Sequence, residues 1–366
     1  MAGSGGVRIR DCIRALPAYR AGKPATPGPD GRAYKLSSNE NPFPPLPSVL
    51  AAVDEASRSM NRYPDAGNRV VAEAVAGLLG NGVGTEHLAF GTGSVAVLFH
   101  ALQTVCDPGD EVVYAWRSFE AYPIGVQLTG AKPVPVPLRP DFTHDLPAML
   151  AAIGPRTRAV MLCTPNNPTG PAIKHADLID FCDRVPDDVL VIVDEAYVEF
   201  VTDPEAARGL EAWADRPNVV VLRTFSKAYG LAGFRVGYAV AHEELAAALR
   251  AVALPFGVSV PAQAAVVASV AAKEELMAQV KQLIVSRDTL ADSLRALGIE
   301  VPISQGNFVW LPAGERSAAW GEHFAAHGLM TRAFATGDVA SDGVRISVGE
   351  PEANELVVEA AQTLPR

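Results

Sequence analysis

Short runs rich in β-branched residues alternate with stretches of helical spacing through the middle of this chain, and that alternation limits the fold most. Residues 111–115, 132–137, 159–163, 189–193, 219–223 and 236–240 read as strands, and residues 176–184 are one of the helical stretches between them. Several of the runs are almost continuously apolar, as strands are when both faces of their sheet are covered. Strand–helix repetition of this kind predicts an α/β fold with an open, mostly parallel central sheet flanked by helices. Upstream, the apolar spacing predicts helices over 49–60, with Ser48 as N-cap, and over 68–79, stopped by Gly80. The pattern changes after about residue 260. A long helical stretch at 262–297 ends at Gly298, and short strands follow at 307–311, 329–334 and 344–348. The expected organisation is an irregular N-terminal arm (1–40), a large domain (41–255) and a smaller C-terminal α+β domain (256–366).

Composition excludes several classes of function. Of 366 residues 49% are hydrophobic and 20% charged, as in a globular chain able to bury a substantial core. The net charge of -10 disfavours nonspecific binding to nucleic acid or to an anionic membrane. Cys12, Cys106, Cys163 and Cys182 are scattered, with no CxxC and no His-rich spacing, so neither a disulfide framework nor a metal site is expected. Residues 251–272 carry no charge, but Pro255, Gly257, Pro261 and Gln263 interrupt them, which predicts a buried segment and not a membrane span. Met1 to Arg10 has no apolar h-region, so a soluble cytoplasmic protein is expected.

Ligands of open α/β sheets bind beyond the C-terminal ends of the strands, and four such ends carry unusual sequence. Phe90-Gly91-Thr92-Gly93-Ser94 precedes a helix and is either a phosphate cradle at the helix N-terminus or a tight turn with an N-cap serine. Cys163-Thr164-Pro165-Asn166-Asn167-Pro168-Thr169-Gly170 is a rigid turn that leaves amide side chains able to hydrogen-bond. The apolar run ending at Val193 delivers Asp194-Glu195-Ala196-Tyr197. A buried carboxylate there needs a partner: a metal, an arginine, a protonated heterocycle or an internal ion pair. Last, Thr224-Phe225-Ser226-Lys227-Ala228-Tyr229-Gly230, continuing to Arg235, combines two hydroxyls, a lysine and an arginine among glycines. That composition suits a phosphate and a nucleophilic amine, the alternative being a solvated basic loop. Taken together, these groups are what pyridoxal phosphate requires: an amine for a Schiff base, an acid for the ring nitrogen and a phosphate site.

The ordered set resembles fold-type I pyridoxal-phosphate aminotransferases of the histidinol-phosphate and aromatic amino acid group. The resemblance covers nearly the whole chain. It also includes Ser38-Asn39-Glu40-Asn41-Pro42, Arg62-Tyr63-Pro64-Asp65, Asn307-Phe308 and Arg345-Ile346-Ser347-Val348-Gly349. It implies that Lys227 forms the aldimine with pyridoxal 5'-phosphate and later shuttles a proton. By the same resemblance Asp194 pairs with the ring nitrogen, Asn167 and Tyr197 bond the phenolic oxygen, and Phe119 stacks on the ring. Gly93, Ser94, Thr224, Ser226 and Arg235 are implied to hold the phosphate, with Tyr63 reaching the cofactor phosphate of a second subunit in a homodimer with shared active sites. Arg345 is implied to bind the substrate carboxylate with help from Asn307. Arg332 matches the arginine that binds substrate phosphate in histidinol-phosphate enzymes, and Tyr19, Asn41, Tyr122 and Phe256 join the substrate pocket.

Two departures from the histidinol-phosphate pattern point to the aromatic branch. Val95-Ala96 stands where an acidic pair is more usual, and Phe256 where a tyrosine is. The expected activity is transfer of the amino group between an aromatic L-amino acid and a 2-oxo acid such as 2-oxoglutarate. Histidinol-phosphate aminotransferase, or both activities together, is the alternative. A phospho-amino-acid decarboxylase or a non-catalytic cofactor-binding module is further off.

Overall fold

The computed structural model describes residues 7–16, 22, 24–29, 31–80 and 82–365. Seven strands form its central sheet: β1 (Leu88–Gly91), β2 (Glu111–Trp116), β3 (Lys132–Pro137), β4 (Thr157–Cys163), β5 (Leu190–Asp194), β6 (Val219–Thr224) and β7 (Gly237–Val240). Their spatial order is β1-β7-β6-β5-β4-β2-β3. Strand β7 pairs antiparallel with β1 and β6, and the other pairs are parallel. The expected mostly parallel sheet is therefore present, with β1 as an edge strand in addition to the six runs read from the sequence.

The continuous apolar strands divide their side chains between two cores. In β5, Val191 and Val193 enter one core while Leu190 and Ile192 enter the other. In β6, Val219 and Val221 do the first and Val220 and Leu222 the second. This is the period-two alternation of a strand, and each such fully buried side chain contributes about 1.5–3 kcal/mol. The edge strand β3 reads Lys-Pro-Val-Pro-Val-Pro. Lys132 N and Leu138 N donate to Asp110 O and Trp116 O, so even-numbered nitrogens face β2. Pro133, Pro135 and Pro137 fall on the outward side, where a missing N–H costs no ladder bond.

A second sheet, β8 (Phe308–Leu311), β9 (Arg332–Phe334) and β10 (Gly343–Ser347), is antiparallel in the order β9-β10-β8. Val309, Leu311, Phe324, Val344, Ile346 and Val357 build a third core around it. The helix Lys273–Ala296 spans both regions: Leu276, Val280 and Leu283 pack into the large core, Leu290 and Leu294 into the third. From the N-terminal side, Tyr34–Lys35 pairs in parallel with Leu329–Met330, which ties the expected arm to the C-terminal region.

Local boundaries differ from the sequence reading in three places. The helix expected at 49–60 is Pro47–Ser57, capped by Leu46 and not Ser48, because proline at the first turn has a preset φ and no N–H to satisfy. The helical stretch expected at 262–297 is two helices, Val260–Ala271 and Lys273–Ala296, with Ser259 capping the first. The strand expected at 329–334 breaks at Thr331, whose N–H turns back to Leu329 O at 3.0 Å, so its halves pair in different sheets. Among the described residues no helix is long and apolar enough to cross a membrane.

Candidate active site

A cavity of about 220 Å³ opens at the C-terminal ends of β4, β5 and β6. Eleven of the residues singled out in the sequence line it: Ser94, Phe119, Asn167, Asp194, Tyr197, Thr224, Ser226, Lys227, Arg235, Arg332 and Arg345. Ser37 and Ser38 of the arm, with Ser118, Glu120, Cys163 and Phe334, complete much of the wall.

Asp194 ends β5 and is buried. The internal ion pair considered for it is made instead by its neighbour. Glu195 Oε2 accepts from Arg223 Nη2 at 2.7 Å and Nε at 2.9 Å, and Oε1 accepts from Gly209 N. Asp194 Oδ2 accepts from the Tyr122 hydroxyl at 2.9 Å, whereas Oδ1 has no hydrogen-bond partner among the described residues. Burial pushes the Asp194 carboxyl up to about 6, against the pull of the Tyr122 hydroxyl and the Ala196 N–H. An orphaned acceptor on a cavity wall fits the N–H of a protonated heterocycle.

Lys227 Nζ reaches into the same cavity and donates to Ser38 O at 2.9 Å. Its pKa is lowered to about 7, first by burial and then by Arg345, Arg235 and Lys35, with Glu40 opposing. An amine so placed both takes up and releases a proton near neutrality. Tyr197 lies 5.8 Å away, ring centroid to Nζ, and its hydroxyl accepts from Asn39 Nδ2 at 2.9 Å. Burial pushes the Tyr197 hydroxyl well above the ordinary tyrosine value, so it stays protonated. Asn39 has φ 52°, a left-handed conformation that asparagine tolerates, and its N–H donates to Ser347 Oγ.

The anion side is built from backbone and hydroxyls. The helix Ser94–Val105 begins at the cavity, with Gly93 before it at φ 86°. The Arg235 guanidinium packs against Gly93, where a Cβ would have to displace it, and the positive φ is one that glycine adopts without strain. Arg235 Nη1 donates to Ser226 Oγ at 3.4 Å, and Ser226 N donates to Thr224 Oγ1 at 3.1 Å. Together with Lys227 and the orphaned Asp194 oxygen, these groups match the phosphorylated pyridine aldehyde that the resemblance implies.

Two further arginines face the cavity. Arg345 Nη1 donates to Asn167 Oδ1 at 2.6 Å and Nη2 to Ser37 O. Arg332 Nη2 donates to Glu120 Oε2 at 2.6 Å, and its guanidinium lies 5.5 Å from the Phe334 ring.

The remaining expected residues lie elsewhere. Tyr122 is completely buried behind Asp194, so the substrate contact expected of it does not fit this placement, and it holds the carboxylate instead. Asn41 donates to Ala228 O and accepts from Phe43 N, fixing the loop beside Lys227 from outside the cavity. Asn307 donates to Asn39 O at 3.2 Å and supports the same loop. Phe256, with φ 59°, stacks on the exposed Tyr63 at 4.6 Å, away from this cavity. Tyr19 lies outside the described residues. Ser38, Asn39, Glu120 and Phe334 were not assigned from the sequence. Asn39 stood inside a quoted motif and Glu120 directly after Phe119, but their partners are 158 and 212 residues away.

The sequence matches the family described as aminotransferase class I and II over residues 32–360. It is 52% identical over 357 residues to an aromatic amino acid aminotransferase of Streptomyces coelicolor, covering 97% of each chain. To the enzyme of that name from Thermobifida fusca it is 46% identical over 358 residues, covering 98% of this chain and 97% of the other. Among solved structures, the histidinol-phosphate aminotransferase of Sinorhizobium meliloti in complex with pyridoxal-5'-phosphate superposes with a TM-score of 0.88 at 28% identity, covering 99% of both chains.

Proposed function

Since the chain belongs to the class I and II aminotransferase family, we propose that it transfers the amino group between an aromatic L-amino acid and a 2-oxo acid, with pyridoxal phosphate as cofactor. Asp194, Asn167, Tyr197 and Phe119 would hold the cofactor ring, and Ser94, Thr224, Ser226 and Arg235 its phosphate. When bound, the cofactor supplies an aldehyde for the amine and a ring that withdraws electrons from the substrate.

The chain's own residues do the rest. Lys227 moves the proton at Nζ, and its pKa of about 7 keeps both forms populated. The Ser38 carbonyl orients that amine at 2.9 Å. Arg345, braced by Asn167 and Ser37, offers the bidentate geometry that a substrate α-carboxylate takes. Phe119 and Phe334 provide an apolar lining for a flat side chain.

The observation that carries the aromatic assignment is the Arg332–Glu120 pair. The arginine that could bind a substrate phosphate is held at 2.6 Å by an acid lining the same cavity, alongside the names of the relatives near 50% identity. Steady-state kinetics with 2-oxoglutarate test it. The expected result is a higher kcat/KM for phenylalanine or tyrosine than for histidinol phosphate, and the reverse order would assign the chain to the phosphorylated substrate.

The enzyme is proposed to act as a homodimer. Tyr63 is 81% exposed and stacked on Phe256, and Leu254 and Met60 are exposed as well. Exposed apolar groups of this kind suit a contact with a second copy, to which Tyr63 would lend its hydroxyl. Sedimentation of the holoenzyme should give twice the chain mass, and a monomer at micromolar concentration would contradict this.

A further inference from the structure

We propose that Glu120 is a specificity-determining residue that sets how much negative charge a substrate's side chain can carry. This inference rests on the aminotransferase reading of the same site and deepens it.

Glu120 and Arg332 come from distant parts of the chain, 212 residues apart, and meet at one wall of the cavity. Glu120 follows Phe119 directly, just ahead of the helix Ala121–Thr129, and Arg332 begins β9. Their side chains are 30% and 14% exposed, so the pair is mostly withdrawn from water. The Arg332 guanidinium lies 5.5 Å from the Phe334 ring, so three different chemistries share one end of the site: a cation, an acid and an aromatic face. Arg117, a second buried cation 5.4 Å from the same ring, is already committed to Asp342 and Thr336 and does not substitute for Arg332.

A substrate with a neutral aromatic side chain leaves the pair intact and meets a surface of zero net charge. A substrate with an anionic side chain must take Arg332 away from Glu120, and it then lies beside the displaced carboxylate. Like charges brought together in a half-dry cavity repel, and the more charge the substrate brings the larger the cost. Glu120 therefore raises the barrier most for a phosphorylated donor, whose side chain brings close to two negative charges, less for a singly charged carboxylate such as that of the 2-oxoglutarate acceptor, and little for an aromatic donor. Arg332 alone would favour the anions, so the acid next to it reverses the preference of the wall.

The test compares Glu120→Gln with the wild-type holoenzyme on phenylalanine, histidinol phosphate and glutamate. Glutamine keeps an oxygen acceptor for Arg332 and removes the charge. On Glu120→Gln, kcat/KM for histidinol phosphate should rise at least about tenfold, chiefly through KM, that for glutamate should rise less, and that for phenylalanine should change less than about threefold. Turnover of phenylalanine also reports that the variant is folded and loaded. Glu120→Asp should restore the wild-type order, and adding Arg332→Gln to Glu120→Gln should abolish the gain. An unchanged ratio of anionic to aromatic donors in Glu120→Gln overturns the inference. A parallel loss on all three donors, which is how a purely structural residue behaves, overturns it too. If wild type already prefers histidinol phosphate, the aromatic reading fails by itself, and the change in ratio on Glu120→Gln still decides the role of Glu120.

Discussion

The two ends of the cavity are built on different principles. At the ring end, buried neutral groups fix the reactive ones: Tyr122 holds Asp194, Asn39 holds Tyr197 and the Ser38 carbonyl holds Lys227. At the side-chain end, two opposite charges hold each other, Arg332 to Glu120, in partial contact with water. A hydrogen bond from a buried tyrosine cannot exchange its partner without leaving an orphan, whereas an ion pair at a cavity wall can be competed for by a charged ligand. On the proposed reading the chemistry is fixed at the first end, and the choice of substrate is left to a contact that one substitution can alter.

That contrast can be broken most severely at its chemical end. Lys227→Ala should lower turnover by about a thousandfold or more, since it removes the only amine among the described cavity-lining residues. Activity within about tenfold of wild type would show that another group moves the proton. Asp194→Ala comes next. It removes the acid facing the ring site, and a loss of about a hundredfold in kcat with weaker retention of pyridoxal phosphate on dialysis is expected.

The pH dependence sharpens the same comparison. Burial lowers Lys227 to about 7, so the amine is protonated below that value and free above it. The rate at which the cofactor-free chain takes up pyridoxal phosphate should climb about tenfold per unit below pH 7 and level off above about pH 8. A rise continuing to about pH 10 would mean that the amine keeps its ordinary lysine value. The smallest effect is expected from Tyr122→Phe. Losing the bond to Asp194 should cost about 0.5–1.5 kcal/mol, roughly two- to twelvefold in kcat, with the order of preferred substrates unchanged. A change in that order would place Tyr122 in contact with substrate after all.

The ring end was the more legible part in the sequence, and the reason is geometric. Asp194, Thr224 and Asn167 sit at or just beyond the ends of apolar runs, and parallel strands present their C-terminal ends to a common cleft. What braces those residues was not legible, because Ser38 meets Lys227 across 189 residues and Asn39 meets Tyr197 across 158. No local pattern encodes such contacts. Tyr122 shows the limit well: an aromatic near the site suits the pocket wall and the layer behind it equally, and only packing puts it behind Asp194. Secondary structure was lost where nothing local marks a break. Ala272 interrupts the helical stretch at 262–297 without glycine or proline, and Thr331 divides a strand although its sequence favours extension.

The most direct test of the central claim is a single half-reaction. The holoenzyme is mixed with phenylalanine or with histidinol phosphate, without any oxo acid, and the loss of the bound cofactor's visible absorbance is followed as the amino group is taken up. The account predicts faster conversion by phenylalanine at equal, subsaturating concentrations. Faster conversion by histidinol phosphate, or no conversion by any aromatic amino acid, would contradict it.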